Sequence, residues 1–153
     1  MSTTFIGIDP GLVHMGAVAM EFLPDRCRVT SEVLAGDKIN DAVLWTRRFP
    51  GAHVFIEAYR ERGNTYSTDS RMRDHVGALR RSLPNAKIVD NTGIKAVVKQ
   101  PLMELVGVWR FAQTTHHQDL RSAARIGLYG ALKDEELNRV VFDFVVKHLV
   151  RRP

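Results

Sequence analysis

Three acidic residues and one histidine stand where predicted secondary-structure elements begin or end. Asp9 follows the apolar segment 3–8 and precedes the turn residues Pro10 and Gly11, and Glu57 follows the apolar residues 54–56. Asp119 lies in the first turns of a predicted helix, and His116, three residues earlier, projects from the same face. Carboxylate oxygens with one imidazole nitrogen suit Mg²⁺ or Mn²⁺ better than structural Zn²⁺. A hard divalent cation is therefore the cofactor that these residue types indicate, if one sheet brings them together.

Each of these residues also has a simpler interpretation when it is taken alone. Asp-Pro-Gly is a good turn sequence in its own right. Glu57 is also explained as a solvated residue at a strand end, and Asp119 as an acid favoured near a helix N-terminus. The metal-site hypothesis depends on the set rather than on any one member.

The elements that must position these residues alternate between strand and helix. The pattern of β-branched residues and turn residues predicts strands over 3–8, 14–22, 26–34, 53–58 and 86–90. The first three form an antiparallel meander, and the others alternate with helices. This order predicts an α/β fold with a mixed five-stranded sheet and helices on both faces.

Helical spacing of apolar residues predicts the remaining elements. Asp37 is predicted to cap a helix that ends near residue 49, and a polar loop over 60–68 leads into an amphipathic helix. A further helix begins near Pro101, and Thr115 with Gln118 forms a capping-box pattern before the next. The last helix is predicted from about Asp134. The stripe predicted to be buried behind the capping box consists of Leu120, Ala123, Ala124, Gly127, Leu128 and Ala131.

Composition limits the class of protein. The chain has 153 residues, with 44% hydrophobic and 25% charged, which predicts a single domain over residues 1–153 and excludes disorder or a disulfide scaffold. Cys27 is the only cysteine, and Asp9 and Asp143 interrupt the apolar segments near the two ends, so we expect a cytoplasmic protein without a membrane span. The net charge of +5 favours a polyanionic partner.

Three motifs together resemble the RuvC family of Holliday-junction resolvases, in the ribonuclease H-like integrase superfamily. FIGIDPG at residues 5–11, followed by GAVA at 16–19, is similar to the opening of that family. VFIE at 54–57 resembles its second acidic motif, and HHQD at 116–119 resembles its C-terminal one. The resemblance covers nearly the whole chain, and the compact form is most similar to phage-encoded members.

The resemblance implies a ribonuclease H-like fold and a metal-dependent nuclease. Asp9, Glu57 and Asp119 would be the catalytic carboxylates and metal ligands, with His116 where the family carries a fourth acid or a histidine. In two-metal catalysis the ions lie about 3.5–4 Å apart and act on the attacking water and the leaving oxygen. Asp9 would bridge both ions, with Glu57 on one and Asp119 plus His116 on the other.

Two positions depart from the pattern of the family. Leu120 follows the last acid where alanine is usual, and Arg60 stands where an aromatic residue is expected three residues after the second acid. These departures concern the distortion of the junction more than metal binding.

Basic and aromatic residues suggest how DNA would be held. Six arginines against three acids give the segment after Glu57 a local balance of +3; they are Arg60, Arg62, Arg71, Arg73, Arg80 and Arg81. Tyr59 and Tyr66 are candidates for stacking on an unpaired base, or for packing under the loop. Lys95 and Lys99, four residues apart, would share one face if that segment is helical and could stabilise charge at the scissile phosphate. A solvated helix face explains the arginines and lysines equally simply.

The resemblance predicts a crossover junction endodeoxyribonuclease acting in DNA recombination, repair or phage DNA processing, in a bacterial or phage-infected cytoplasm. A four-way junction has two-fold symmetry, so a homodimer is expected. The helix with Met72, Val76, Gly77 and Leu79 is one candidate interface, and packing of that helix on its own sheet is the alternative. Rival functions are a YqgF-type nuclease acting on RNA or simpler branched DNA, and a non-catalytic junction-binding protein. An actin-like ATPase half is disfavoured, because that fold needs two such domains.

Overall fold

The computed structural model describes residues 2–59, 66–112 and 115–150, and leaves out the side chains of residues 66–69. Within these residues a five-stranded sheet has the order β3-β2-β1-β4-β5. Its strands are β1 (Thr3–Asp9), β2 (His14–Phe22), β3 (Cys27–Ala35), β4 (His53–Glu57) and β5 (Lys87–Val89). The first three strands pair antiparallel, whereas β1–β4 and β4–β5 are parallel. The predicted mixed five-stranded sheet is therefore confirmed.

Helices cover both faces of this sheet. They are α1 (Ile39–Thr46), α2 (Tyr66–Ser82), α3 (Ile94–Val97), α4 (Gln100–Val106), α5 (His117–Lys133) and α6 (Asn138–Val150). One apolar core joins α1 and α2 to Ile6, Ile8 and Ile56. The other joins the remaining helices to Phe5, Phe55 and their neighbours. The predicted helices on both faces are confirmed.

Alternation along β1 and β4 decides which way the acidic residues point. Successive side chains of a strand face opposite sides of the sheet, so Asp9 lies on the same side as Phe5. Glu57 likewise lies on the same side as Phe55, which packs in the core under α5. Both acids therefore face the layer that contains α5.

The helix α5 approaches the sheet at backbone distance. A Cβ atom added at Gly7 of β1 would lie 1.8 Å from the carbonyl oxygen of Ala123. Only glycine permits this contact, because any larger residue would collide with helix backbone. The predicted buried stripe of α5 is confirmed, with every member buried.

The predicted helix starts are wrong at three places. Lys38 rather than Asp37 is at the N-cap of α1, and no side chain caps that helix. His116 is at the N-cap of α5 in place of the predicted capping box, again without a side-chain cap. The last helix starts four residues after Asp134, because Oδ1 of Asp134 accepts hydrogen bonds from the backbone N–H groups of Glu136 and Leu137 and holds a turn there.

The apolar stripe of α2 packs inside the chain. Val76 and Leu79 are buried, and Leu79 shares the core of Ile6 and Trp45. The burial of these two residues agrees with the alternative prediction, that this helix packs on the sheet of its own chain. Among the described helices, none has the length and apolarity that crossing a membrane requires.

Candidate active site

Asp9 and Glu57 meet at the carboxyl ends of two parallel neighbouring strands. Ile8 pairs in register with Ile56, so the next residue of each strand lies beside the other. The two carboxyl groups share a hydrogen bond. The sequence-based expectation that Glu57 meets Asp9 is thus realised by the β1–β4 pairing.

Asp119 joins this pair from above the sheet. It lies in the first turn of α5, and its charge acts on Asp9. His116 lies one turn earlier, with its Nδ1 atom 3.4 Å from Oδ2 of Asp119. The imidazole of His14, at the start of β2, contacts that of His116 with ring centroids 4.4 Å apart and ring planes inclined at 49°. The structure therefore places the four predicted residues at one end of the sheet as two contacting pairs, Asp9–Glu57 and His116–Asp119.

The electrostatics of the site are unfavourable for three anions. The pKa of Asp9 is raised from 3.8 to about 8, mainly by burial and also by the hydrogen bond with Glu57 and by the charges of Glu57 and Asp119. A carboxyl group that is desolvated beside two other acids holds its proton until a cation replaces it. Binding of a proton or a cation to Asp9 therefore stabilises this group of three acids.

The donor set fits a hard divalent cation. Three carboxylates and an imidazole are ligands that Mg²⁺ and Mn²⁺ accept. The raised pKa of Asp9 shows that a negative charge is unfavourable there, and a bound cation would stabilise that charge. In the part of the chain that the structure describes, no three His, Cys, Asp or Glu side chains stand close enough together to enclose a metal. The acids instead form the two pairs described above.

Three contacts at this site are not apparent from the sequence. The Asn91 side-chain amide donates a hydrogen bond to Oε1 of Glu57 (2.5 Å). The His75 imidazole of α2 makes a hydrogen bond with the backbone of Gly11, two residues after Asp9, and burial lowers its pKa. His14 supports His116. The contact of Asn91 was the one with an indication in the sequence. Asn91 directly follows the predicted strand 86–90, which places it at the same sheet edge as Glu57.

The structure describes only some of the basic and aromatic residues that are predicted to hold DNA. Arg71 and Arg73 are exposed on α2. Because α2 connects two parallel strands, it runs antiparallel to them and its first half lies toward the edge that carries Asp9. Tyr59 is half-buried. Arg60 and Arg62 lie outside the described residues, as does the side chain of Tyr66.

The predicted shared face of Lys95 and Lys99 is wrong. Lys95 is in the four-residue helix α3, the backbone leaves helical geometry at Val98 (φ −97°, ψ 85°), and Lys99 is the extended N-cap of α4. Both lysines are exposed. The buried Val98 side chain is the physical reason, since it anchors the connection between the two helices in the core.

The pKa of Asp9 predicts that metal-free protein loses stability as pH rises. Between about pH 4 and 8 the folded chain retains a proton that the unfolded chain has released, so raising the pH favours unfolding. We expect Asp9→Asn to have a higher melting temperature than wild type at pH 8, by several degrees, and a smaller advantage at pH 5. Circular dichroism melts in EDTA across this range measure the difference, and parallel curves for the two proteins would contradict it.

Comparison with known proteins bears on the fold. Neither protein-family models nor curated proteins give a match to this chain. Among solved structures, T. thermophilus RuvC in complex with a Holliday junction substrate has 13% identity and a TM-score of 0.63, covering 95% of this chain and 96% of that one. The large terminase nuclease of the thermophilic phage G20c has 10% identity and a TM-score of 0.38, with 84% and 82% covered. The first likeness shows that this chain has the ribonuclease H-like α/β fold over nearly its whole length.

Proposed function

We propose that this chain, as a single nuclease domain over residues 1–153, is a divalent-metal-dependent endonuclease that cuts four-way DNA junctions. The observation that supports the proposal is the contact of Asp9 with Glu57 at one edge of the sheet, where the charge of Asp119 acts on Asp9 and His116 lies beside Asp119. Burial of one carboxyl group beside two others lowers the folding stability of the protein. Such strain is expected at a site whose cation is part of its function.

The four residues have distinct tasks in this proposal. Mg²⁺ or Mn²⁺, when bound, supplies charge neutralisation at the phosphate and activation of a water molecule. Asp9 would lose its proton when the ion binds and would be one of the carboxylate ligands that hold it, from the end of β1. Asn91 fixes the orientation of Glu57 by donating to one carboxylate oxygen. His116 orients Asp119 from the N-cap of α5, and its own ring is held by His14.

Two observations support DNA with a junction as the substrate class. The chain carries a net charge of +5 although its candidate site is acidic, and this excess of basic residues suits a phosphate backbone as partner. RuvC, whose fold is shared over 95% of this chain, was solved with a Holliday junction. Cutting a two-fold symmetric junction on two strands calls for two symmetric sites, so we propose a homodimer as the active form.

A panel of substrates tests the proposal. Purified protein is incubated with Mg²⁺ or Mn²⁺ and with labelled four-way, three-way, flap, linear duplex and RNA stem substrates, and products are resolved on denaturing gels. We expect paired symmetric cuts in the four-way junction, at least about tenfold faster than cuts in linear duplex, a difference of about 1.4 kcal/mol, and none in EDTA. Equal rates on linear duplex would reject junction selectivity, faster cutting of the RNA stem would favour an RNA nuclease, and binding without cutting in either metal would reject the enzyme.

A further inference from the structure

Two arginines of α5 enclose the indole of Trp109 on the flank away from the carboxylates. The guanidinium carbon of Arg121 lies 3.8 Å from the ring centroid of Trp109, and that of Arg125 lies 5.8 Å from it. Nε of Arg121 also donates to the backbone carbonyl of Trp109 (2.6 Å). The arginines are four residues apart on one helix, so they project from the same side. We call Trp109, Arg121 and Arg125 the Trp109 cluster.

The Trp109 cluster has no neutralising acid. Elsewhere in the fold Arg28 pairs with Glu21 and Lys87 with Asp134. Among the described residues, neither arginine of the cluster has an Asp or Glu within salt-bridge distance, and Nε of Arg125 is buried without a hydrogen-bond partner. Half-buried cations are usually paired, because their lost hydration must be replaced. The cluster therefore has the composition of an anion site.

The electrostatics agree with this interpretation. Burial lowers the pKa of Arg125, and the neighbouring charge of Arg121 lowers it further. Two like charges are thus held together by cation–π contact with one indole. An anion placed against the two guanidinium groups would relieve this repulsion.

The position of the cluster relates it to the active site. Arg121 follows Asp119 by two residues, which is roughly 3 Å along the helix axis and about 200° around it. Arg121 therefore lies on the opposite flank of α5 from Asp119. A nucleic-acid strand crossing the first turns of α5 can contact the carboxylates on one flank and the cluster on the other.

We propose that the Trp109 cluster binds a backbone phosphodiester of the DNA substrate and is a second anchor, separate from the arginines of α2. Planar guanidinium groups match the paired oxygens of a phosphodiester. The face of the indole that Arg121 covers is closed to a stacked base, so the contact reads the backbone and carries no base preference. This inference rests on the proposed function in taking DNA as the substrate.

Salt dependence of DNA binding tests the anchor without requiring cleavage. Each phosphate contact contributes about 0.9 to the slope of log affinity against log salt. We expect Arg125→Gln to lower the slope for four-way junctions by about one, and Arg121→Gln with Arg125→Gln by about two. Arg125→Gln is the decisive single variant, because Nε of Arg125 has no hydrogen-bond partner among the described residues and the substitution leaves the bond from Arg121 to Trp109 intact.

The matched control removes the same charge from the other face of the sheet. Arg47 and Arg48 end α1 and are exposed, and Arg48 also lies over an aromatic ring, that of Phe49, at 5.7 Å. Arg47→Gln with Arg48→Gln should leave the slope unchanged. Equal slopes for wild type and the Arg125 variant, or an equal decrease in the control, would overturn the anchor.

Fluorescence gives a direct readout, since the chain has only two tryptophans. In a Trp45→Phe background, DNA should change the emission of Trp109, whereas the Arg121 and Arg125 double variant should show a smaller change at equal saturation. An emission change that is the same in both proteins would count against the cluster.

The two proposals fail separately. Wild-type protein that shows the expected slopes but cuts no substrate would reject the nuclease and leave the anchor standing. Junction cutting with unchanged slopes would reject the anchor alone.

Discussion

Asp9→Asn is expected to reduce metal-dependent junction cleavage by at least about 10³-fold, which corresponds to a loss of about 4 kcal/mol of transition-state stabilisation. Asp9 is the most central of the acids, since Glu57 shares a hydrogen bond with it and the charge of Asp119 acts on it. Asparagine preserves the shape of the side chain but removes the negative charge that holds a divalent cation. Initial rates on a labelled four-way junction with saturating Mn²⁺ measure the loss.

DNA binding by Asp9→Asn should remain within a few fold of wild type, because the basic residues are untouched and one repelling charge is removed. Asp25→Asn makes the same chemical change at an exposed position between β2 and β3, and should cut at the wild-type rate. Cleavage by Asp9→Asn within tenfold of wild type would show that the carboxylate cluster is not the metal site. Loss of binding together with cleavage would instead indicate a misfolded variant, which a melting curve identifies.

The placement of the acids could be predicted because it depends on local rules. Alternation along a strand fixes the face on which Asp9 and Glu57 lie, and parallel pairing of β1 with β4 fixes the edge. The three-residue spacing of His116 and Asp119 places both on one side of α5, as observed. Periodicity and turn residues were sufficient for these points, and the predicted strands end within two residues of the observed ones.

What could not be predicted depends on contacts between distant segments. The pairing of Asn91 with Glu57 joins two strand ends that only the folded sheet brings together. The contact of His14 with His116 likewise requires α5 to lie across β2. The cap of α5 was mispredicted because a capping box is a local pattern, whereas the observed N-cap residue is engaged with Asp119.

The Trp109 cluster also could not be predicted from the sequence alone. Arg121 and Arg125 are four apart in the sequence and can be placed on one helix face without a structure. Their unusual feature is the indole that both contact and the lack of an acid within salt-bridge distance among the described residues, and both depend on how residues 107–112 pack beside α5. A solvated arginine face and an anion site have the same sequence pattern, so only the structure separates them.

Gly16→Ala should reduce junction cleavage by about 10²-fold by displacing Asp119, because a misplacement near 1 Å costs roughly that factor. Gly16 pairs with Asp9 across β1 and β2, and lies beneath the first turn of α5. A Cβ atom there would be 2.4 Å from the carbonyl oxygen of Asp119 and 2.9 Å from its carbonyl carbon. Neither atom can move without the helix backbone, so α5 must lift from the sheet and carry Asp119 away from Asp9. Overpacking of this kind costs about 1–3 kcal/mol of folding stability, which leaves folded protein to assay.

Gly77→Ala is the matched control, since it adds the same methyl group at a half-buried position of α2. Among the described residues, its Cβ atom would meet only the flexible end of Arg81, at 3.3 Å. Alanine is also favoured over glycine within a helix by about 1 kcal/mol, so this variant should be as stable as wild type or more so, with an unchanged metal concentration at half-maximal rate. For Gly16→Ala we expect the metal concentration at half-maximal rate to rise as well, because Asp119 is a proposed ligand. A Gly16→Ala protein that melts below wild type yet cuts at its rate would show that cleavage does not depend on where α5 holds Asp119.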